Sequence, residues 1–375
     1  MSTSVDGRKR TFEERLETRN NALNFVRLSL ACIVIVHHAV PLGGFLVPLK
    51  LGNFSVGHMA VGGFFCISGY LITRSRLGSN SIGRFAWKRA LRILPAFWVC
   101  LVVTAAVIAL IGSQVTGGWA LSAAISYVVS NADMWNGDHT IGTTISALPF
   151  PLDWNGSLWT LRFEILCYAM VAIAMSVGFV RRNPRFVLGA FVIATAVGLL
   201  GSDAWPQPVK DLVFLVPFFL AGAVLFVYSD RVRVSWRLAA LAGVSLGVVS
   251  VLNLGHELGG LPTAYLCMWL GVSLPQGFKR IGARNDFSYG MYLYGMPVQQ
   301  LLVIFGAAGL GQLGYTLLSI VATIPLAIAS WFLVEKPALR LTKMKRPTLT
   351  GRPREHGNAT VAAVDGQVAN PRQAR

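Results

Sequence analysis

The chain has 375 residues, 54% of them hydrophobic and 13% charged, with mean hydropathy +0.57. That apolar share exceeds an ordinary soluble domain's and points to an all-α integral membrane protein. A formal net charge of +17 would suit nucleic acid, but no aromatic-basic motif accompanies the cations and they collect on alternate loops, which argues against that partner.

The first twenty residues mix Arg and Glu without a short apolar core or a small-residue cleavage site, so residues 1–21 read as a cytoplasmic segment before a retained anchor, not a cleaved signal peptide. Apolar stretches of membrane-spanning length follow at 22–41, 56–73, 93–112, 158–180, 186–201, 212–228, 236–254, 261–275, 286–305 and 314–334. They predict about ten transmembrane helices within a domain over 22–340. Basic clusters fall at Arg8/Lys9/Arg10, Arg74 to Arg92, Arg181/Arg182/Arg185, Arg231/Arg233/Arg237, Lys279/Arg280/Arg284 and Lys336 to Arg346. The intervening loops carry only Lys50 and Lys210, so the positive-inside rule puts both termini in the cytoplasm. Residues 341–375 are polar, with Pro and Gly and little periodicity, and read as a disordered tail.

The first span contains Arg27 and His38 with ten residues between them. Eleven steps of 100° make three turns, so both side chains share one helix face, roughly 16 Å apart. Ionisable groups inside a span are costly and are functional candidates, although such a histidine can also bond a neighbouring helix and such an arginine can snorkel. The second span reads GGFFCISGYLITRSR, where Gly62, Gly63, Ser68 and Gly69 suit close helix packing. Ser68 is no hydrolase elbow, because Cys66 and Tyr70 occupy the positions that would have to be glycine; a substrate hydrogen bond is its other reading.

RFAWKRALRILP then reads as an amphipathic interfacial segment ahead of Pro95. Its Arg89 and Arg92 share a face, fitted to lipid headgroups or to the phosphates of an anionic cosubstrate. A long loop carries Asp133, Asp138, His139 and Asp153 with Trp135 and Trp154, aromatics and carboxylates that suit sugar or merely face water. NGSLWTLRFEILCY places Arg162 and Glu164 on different faces, with Tyr168 one turn beyond Glu164. A carboxylate beside an imidazole would fix its tautomer and support it as a base; the alternative is an ion pair holding helices together. The five cysteines fall singly in apolar segments without metal-type spacing, so neither disulfides nor a metal is expected.

Several blocks in order, NFVRLSLACIVIVHHA, FFCISGYLITR, KRALRILPAFW, SLWTLRFEILCY, FSYGMYLYGMP and the closing VEKP, resemble the acyltransferase-3 family of membrane O-acyltransferases that modify surface polysaccharides, nodulation oligosaccharides and macrolides. The resemblance covers nearly the whole chain outside its ends. It implies that His38, rather than His37, is the catalytic histidine, that Arg89 and Arg92 form the family's arginine pair, and that Glu164 is its helix-borne acid. Two departures stand out: Asn24 where relatives often have aspartate, and Gly295 where they often have histidine, leaving Tyr292 and Tyr294 as weaker site candidates. No soluble esterase domain follows the last span, as in the shorter, stand-alone type of the family.

The resemblance further implies a multi-pass enzyme of the inner (plasma) membrane that takes an acyl group, acetyl by expectation, from acyl-CoA to a carbohydrate or lipid-linked glycan hydroxyl. Donor phosphates would meet Arg27, Arg89 and Arg92; His38 and Glu164 would act in catalysis; Ser68, Tyr168 and Tyr292 would contact substrate; the membrane lipids are the remaining partner. The competing expectation is a proton-coupled transporter or sugar flippase using Arg27, His38 and Glu164 as a relay, against which stands the lack of an internal repeat.

Overall fold

A computed structural model describes residues 11–343 except 17–19, 48, 80, 136 and 203. The compact unit runs to Thr342, and the tail expected at 341–375 lies almost entirely outside the described residues. The helices are α1 (Phe12–Leu16), α2 (Leu23–Leu42), α3 (Val56–Leu77), α4 (Ile82–Thr116), α5 (Leu121–Asn131), α6 (Gly156–Ala174), α7 (Arg185–Leu199), α8 (Gln207–Val227), α9 (Trp236–Val251), α10 (Gly260–Ser273), α11 (Ser288–Ile304) and α12 (Ala307–Arg340). A two-stranded hairpin, Lys50–Leu51 with Phe54–Ser55, leads into α3.

Among the described residues six helices are long and apolar enough to cross a membrane: α2, α3, α4, α6, α8 and α12. A helix also stands at each of the other four predicted spans, but α7, α9, α10 and α11 have 15, 16, 14 and 17 residues. At 1.5 Å per residue they reach about 21 to 26 Å, short of a hydrocarbon core near 30 Å. Six of the ten predicted spans are thus matched by helices of full spanning length among the described residues, and the other four by shorter helices. Ile193, Val244, Leu313 and Leu333 stand exposed on the flanks, an apolar surface that only lipid can cover at no cost, and the protein is a multi-pass membrane protein.

The segment expected to lie at the interface before Pro95 is instead the first half of α4, which continues through the proline and through one π turn, Thr104–Ile108. The basic loops meet on one face of the bundle. The Phe12 N–H donates to the Val232 carbonyl, Arg74 donates to the Leu16 carbonyl, Arg181 donates to the Leu77 carbonyl, and Asn20 exchanges hydrogen bonds with Gln276.

The tightest crossing joins α3 and α8. A Cβ added at Gly69 would fall 1.9 Å from the Phe219 carbonyl oxygen, and one at Gly222 would fall 1.9 Å from that of Cys66. The two backbones touch through reciprocal glycines, the arrangement small residues permit in membrane interfaces. Gly69→Val or Gly222→Val must drive the helices apart, since neither obstacle is a movable side chain. We expect either variant to lose most of the monodisperse protein on gel filtration in detergent; a wild-type elution profile would contradict this packing.

Candidate active site

Asp286 organises the charged centre from the turn before α11. Its Oδ1 accepts from the Ser288 backbone N–H at 3.2 Å and from the Ser288 hydroxyl at 2.6 Å. That leaves Oδ2 for two cations: Arg27 of α2 at 2.6 Å and Arg92 of α4 at 2.5 Å. Burial would raise this carboxyl, but Arg27 and Arg92 beside it, with the Ser288 bonds, hold it well below the usual carboxylate range. Arg92 reaches a second acid, Glu335, at 3.2 Å. Glu335 ends a π turn, Trp331–Glu335, whose extra residue changes the direction of the side chains that follow, and the Ser330 hydroxyl donates to its other oxygen. Arg27, Asp286, Arg92 and Glu335 thus form a balanced chain of two cations and two anions tying α2, α4, α11 and α12 together.

Glu164 belongs to a separate set. Its Oε1 accepts from the Ser68 hydroxyl of α3 at 3.1 Å and from the Tyr168 hydroxyl one turn along α6. Arg89 stands near this carboxylate and tyrosine, and its buried Nε has no hydrogen-bond partner among the described residues. Tyr292 is buried, its hydroxyl bonded to Thr160 and to the Ser157 carbonyl.

These side chains line two narrow adjoining cavities that share Arg27, Ser68, Glu164 and Tyr289. The first is walled by Val61, Phe64, Phe65 and Leu161 with the hydroxyls of Thr160, Ser288 and Tyr292. The second holds Arg89, Arg92 and Tyr168. An acyl chain suits the apolar walls of the first, and an anion suits the arginines of the second.

Of the eight residues expected to act in catalysis or to contact donor or substrate, seven line these cavities: Arg27, Ser68, Arg89, Arg92, Glu164, Tyr168 and Tyr292. His38 does not. It lies three turns further along α2, its ring 5.4 Å from that of His37 and hydrogen-bonded to the backbone of Val34 one turn earlier. Glu164 therefore sits beside a serine and a tyrosine, not an imidazole, because it lies at the level of Arg27 rather than of His38. Arg27 does not snorkel and Arg92 is not a free phosphate ligand, since both guanidiniums already hold carboxylates. In the long loop before α6, Trp154 is fully buried with its Nε1 donating to Thr144 Oγ1 and so is withdrawn from any sugar-binding face, while Trp135 stays exposed and His139 and Asp153 pair at 2.7 Å. Arg162 faces Asp211 at 3.7 Å, away from Glu164.

The two departures from the family pattern have local reasons. Asn24 donates from its amide to the Gly282 carbonyl at 2.7 Å, a bond an ionised aspartate could not donate. A Cβ at Gly295 would lie 2.8 Å from Ile35 Cγ1, so a histidine there would have to displace the Ile35 side chain. The residues that sequence reasoning missed are Asp286, Tyr289 and Glu335. Two lie in blocks quoted without a role, and the acid before Ser288 at the start of an apolar run is a helix-entry signal.

A helical bundle with buried ion pairs and two cavities among its spans defines a membrane protein with an internal polar site. The acyltransferase domain family matches residues 20–332, and the chain belongs to that family and is an O-acyltransferase. It is 30% identical over 347 residues to an O-acetyl transferase of Shigella phage Sf6, covering 87% of this chain and 98% of the relative. It is 32% identical to nodulation protein 10 of Rhizobium leguminosarum bv. viciae (86% and 94% covered) and 27% identical to the exopolysaccharide production protein ExoZ of Rhizobium meliloti strain 1021 (81% and 96% covered). No solved structure matches the chain.

Proposed function

We propose that this enzyme transfers an acyl group, acetyl in the first instance, from acyl-CoA to a hydroxyl of a cell-surface or exopolysaccharide unit, working in the inner membrane with both termini cytoplasmic. The observation that carries the reading is the joined pair of cavities leading from Arg89 toward the His38 end of α2. Arg89 keeps an uncommitted guanidinium edge for the donor's phosphates, while the extended pantetheine arm and acyl group follow the apolar walls. Val61 stands seven residues from Ser68 on α3, about 10 Å along the axis toward the level of His38.

His38 is the base in this reading. With one ring N–H held by Val34, the other nitrogen of a neutral imidazole is free to accept the acceptor hydroxyl's proton. The hydroxyl oxygen then attacks the thioester carbonyl, the C–O bond forms, the C–S bond breaks, and the departing thiolate takes the proton back from the imidazolium. Ser68, Glu164 and Tyr168 hold the donor's polar groups on the way. A covalent acyl-histidine is the alternative course, and label retained on wild type but not on His38→Ala in rapid-quench experiments without acceptor would select it.

Membranes containing the enzyme are expected to move radiolabel from acetyl-CoA into the polysaccharide or lipid-linked glycan fraction; label that stays with the donor would overturn the proposal. Within that assay Arg89→Ala should raise the donor KM on the order of tenfold, since a charge-assisted bond is lost, with little change in melting temperature because no internal partner is orphaned. An unchanged donor KM would move Arg89 out of the donor site.

A further inference from the structure

A third cavity lies apart from the other two, at the ends of α3, α7 and α8 that face away from the basic loops. It is roomier than either donor cavity and shares no lining residue with them. Its wall combines His58, Trp205, Lys210, Asp211, His256 and Glu257. This mixture is unusual for a lipid-facing crevice: two carboxylates to accept from hydroxyls, an ammonium and imidazoles to donate, and an indole face for a sugar ring's C–H side.

Some of these groups are already committed and some are not. Asp211 Oδ1 accepts from Gln207 and its Oδ2 faces Arg162 at 3.7 Å, and the His58 ring Nδ1 bonds Ser55 Oγ at 2.8 Å. Glu257 Oε2, by contrast, is buried with no hydrogen-bond partner among the described residues, an acceptor that a ligand hydroxyl would satisfy. Burial also raises the Glu257 carboxyl and lowers the His256 imidazole relative to their ordinary values, each toward its neutral form.

The cavity is joined to the catalytic end of α2 by a file of histidine rings. His256 packs edge-on to His58 at 4.8 Å, His58 lies 6.5 Å from His37, and His37 lies 5.4 Å from His38. The start of α3 is pressed against α2 at this level, for a Cβ at Gly57 would fall 2.3 Å from the His37 ring. A ligand seated against His58 is therefore separated from His38 by one imidazole.

We propose that this cavity binds the carbohydrate acceptor and presents one of its hydroxyls toward the histidines at the end of α2. The inference rests on the acyl-CoA to carbohydrate reading above, and it divides the enzyme into a donor side lined by arginine and an acceptor side lined by tryptophan, histidine and carboxylate.

The test uses the full-length enzyme in detergent with acetyl-CoA and, as probe, oligosaccharides released from the host's surface polysaccharide and stripped of O-acyl groups by base. Trp205→Ala is expected to raise the acceptor KM about tenfold and Glu257→Gln several-fold, each leaving the donor KM unchanged, through loss of one stacking face or exchange of a carboxylate acceptor for a weaker amide oxygen. Glu257→Gln keeps the side chain's shape, so it carries the test if Trp205→Ala fails to fold. Wild-type acceptor KM in Glu257→Gln and in a folded Trp205→Ala, with transfer intact, overturns the acceptor cavity and leaves the proposed function standing. A wild-type enzyme that transfers no label to the oligosaccharides overturns the inference together with the reading beneath it.

Discussion

His38→Ala should abolish measurable acyl transfer while the protein still inserts, folds and melts near the wild-type temperature. The expected loss is about 10² to 10⁴ in rate, the usual contribution of a positioned base. Stability should change little, because the ring's own bond is to the helix backbone at Val34 and not to another helix. His37→Ala is the control. The neighbouring ring is turned by about 100° around α2, and its buried Nδ1 has no hydrogen-bond partner among the described residues. Its removal should cost far less than that of His38. Transfer by His38→Ala at the wild-type rate would end its assignment as base, and equal losses in the two variants would show that the cluster, rather than one imidazole, does the chemistry.

Asp286→Ala should produce the largest loss of stability of any single substitution at the charged centre. One carboxylate oxygen holds both Arg27 and Arg92, and the other oxygen holds the entry of α11 through Ser288. Removing one partner of a buried ion pair leaves an uncompensated charge and costs about 3 to 5 kcal/mol. Here two guanidiniums are released at once. Glu335→Gln should cost less, since Arg92 keeps Asp286 and the amide oxygen can still accept. Thermal unfolding in detergent, followed by the monodisperse fraction, orders the two variants; a smaller shift for Asp286→Ala than for Glu335→Gln would contradict the shared-oxygen arrangement. The sign of the pH dependence follows from the depressed carboxyl: its stabilisation is complete above the unfolded aspartate value near 4 and is lost as pH falls through the lower folded value.

Much of this site was legible before folding. Arg27, Ser68, Glu164 and Tyr168 were each marked by a polar group in an apolar helix, where its cost demands a reason, Arg89 and Arg92 by a shared face in an amphipathic segment, and Tyr292 only by the block that holds it. Asp286 and Glu335 were not, since an acid at the edge of a span looks like an ordinary helix end. Helix length is not legible from hydropathy either. Hydropathy reports that a segment is apolar, and α11 is apolar where protein surrounds it on nearly every side, so apolarity alone does not set how long the helix is.

Composition and spacing alone were enough to establish a helical membrane protein, its basic-loop periodicity, and the placement of Arg27 and His38 on one face of α2, because each depends only on local hydropathy and a period of 3.6 residues. Partnership was another matter. That Glu164 meets Ser68 and Tyr168 rather than a histidine, that Asp286 bridges two arginines, and that His38 stands apart from the cavities while His58 and His256 approach from another side were decided only when the helices packed. Those contacts join residues up to 259 positions apart, and their geometry is set by glycine crossings, a π turn and a buried turn before α11, none of which leaves a periodic trace in the chain.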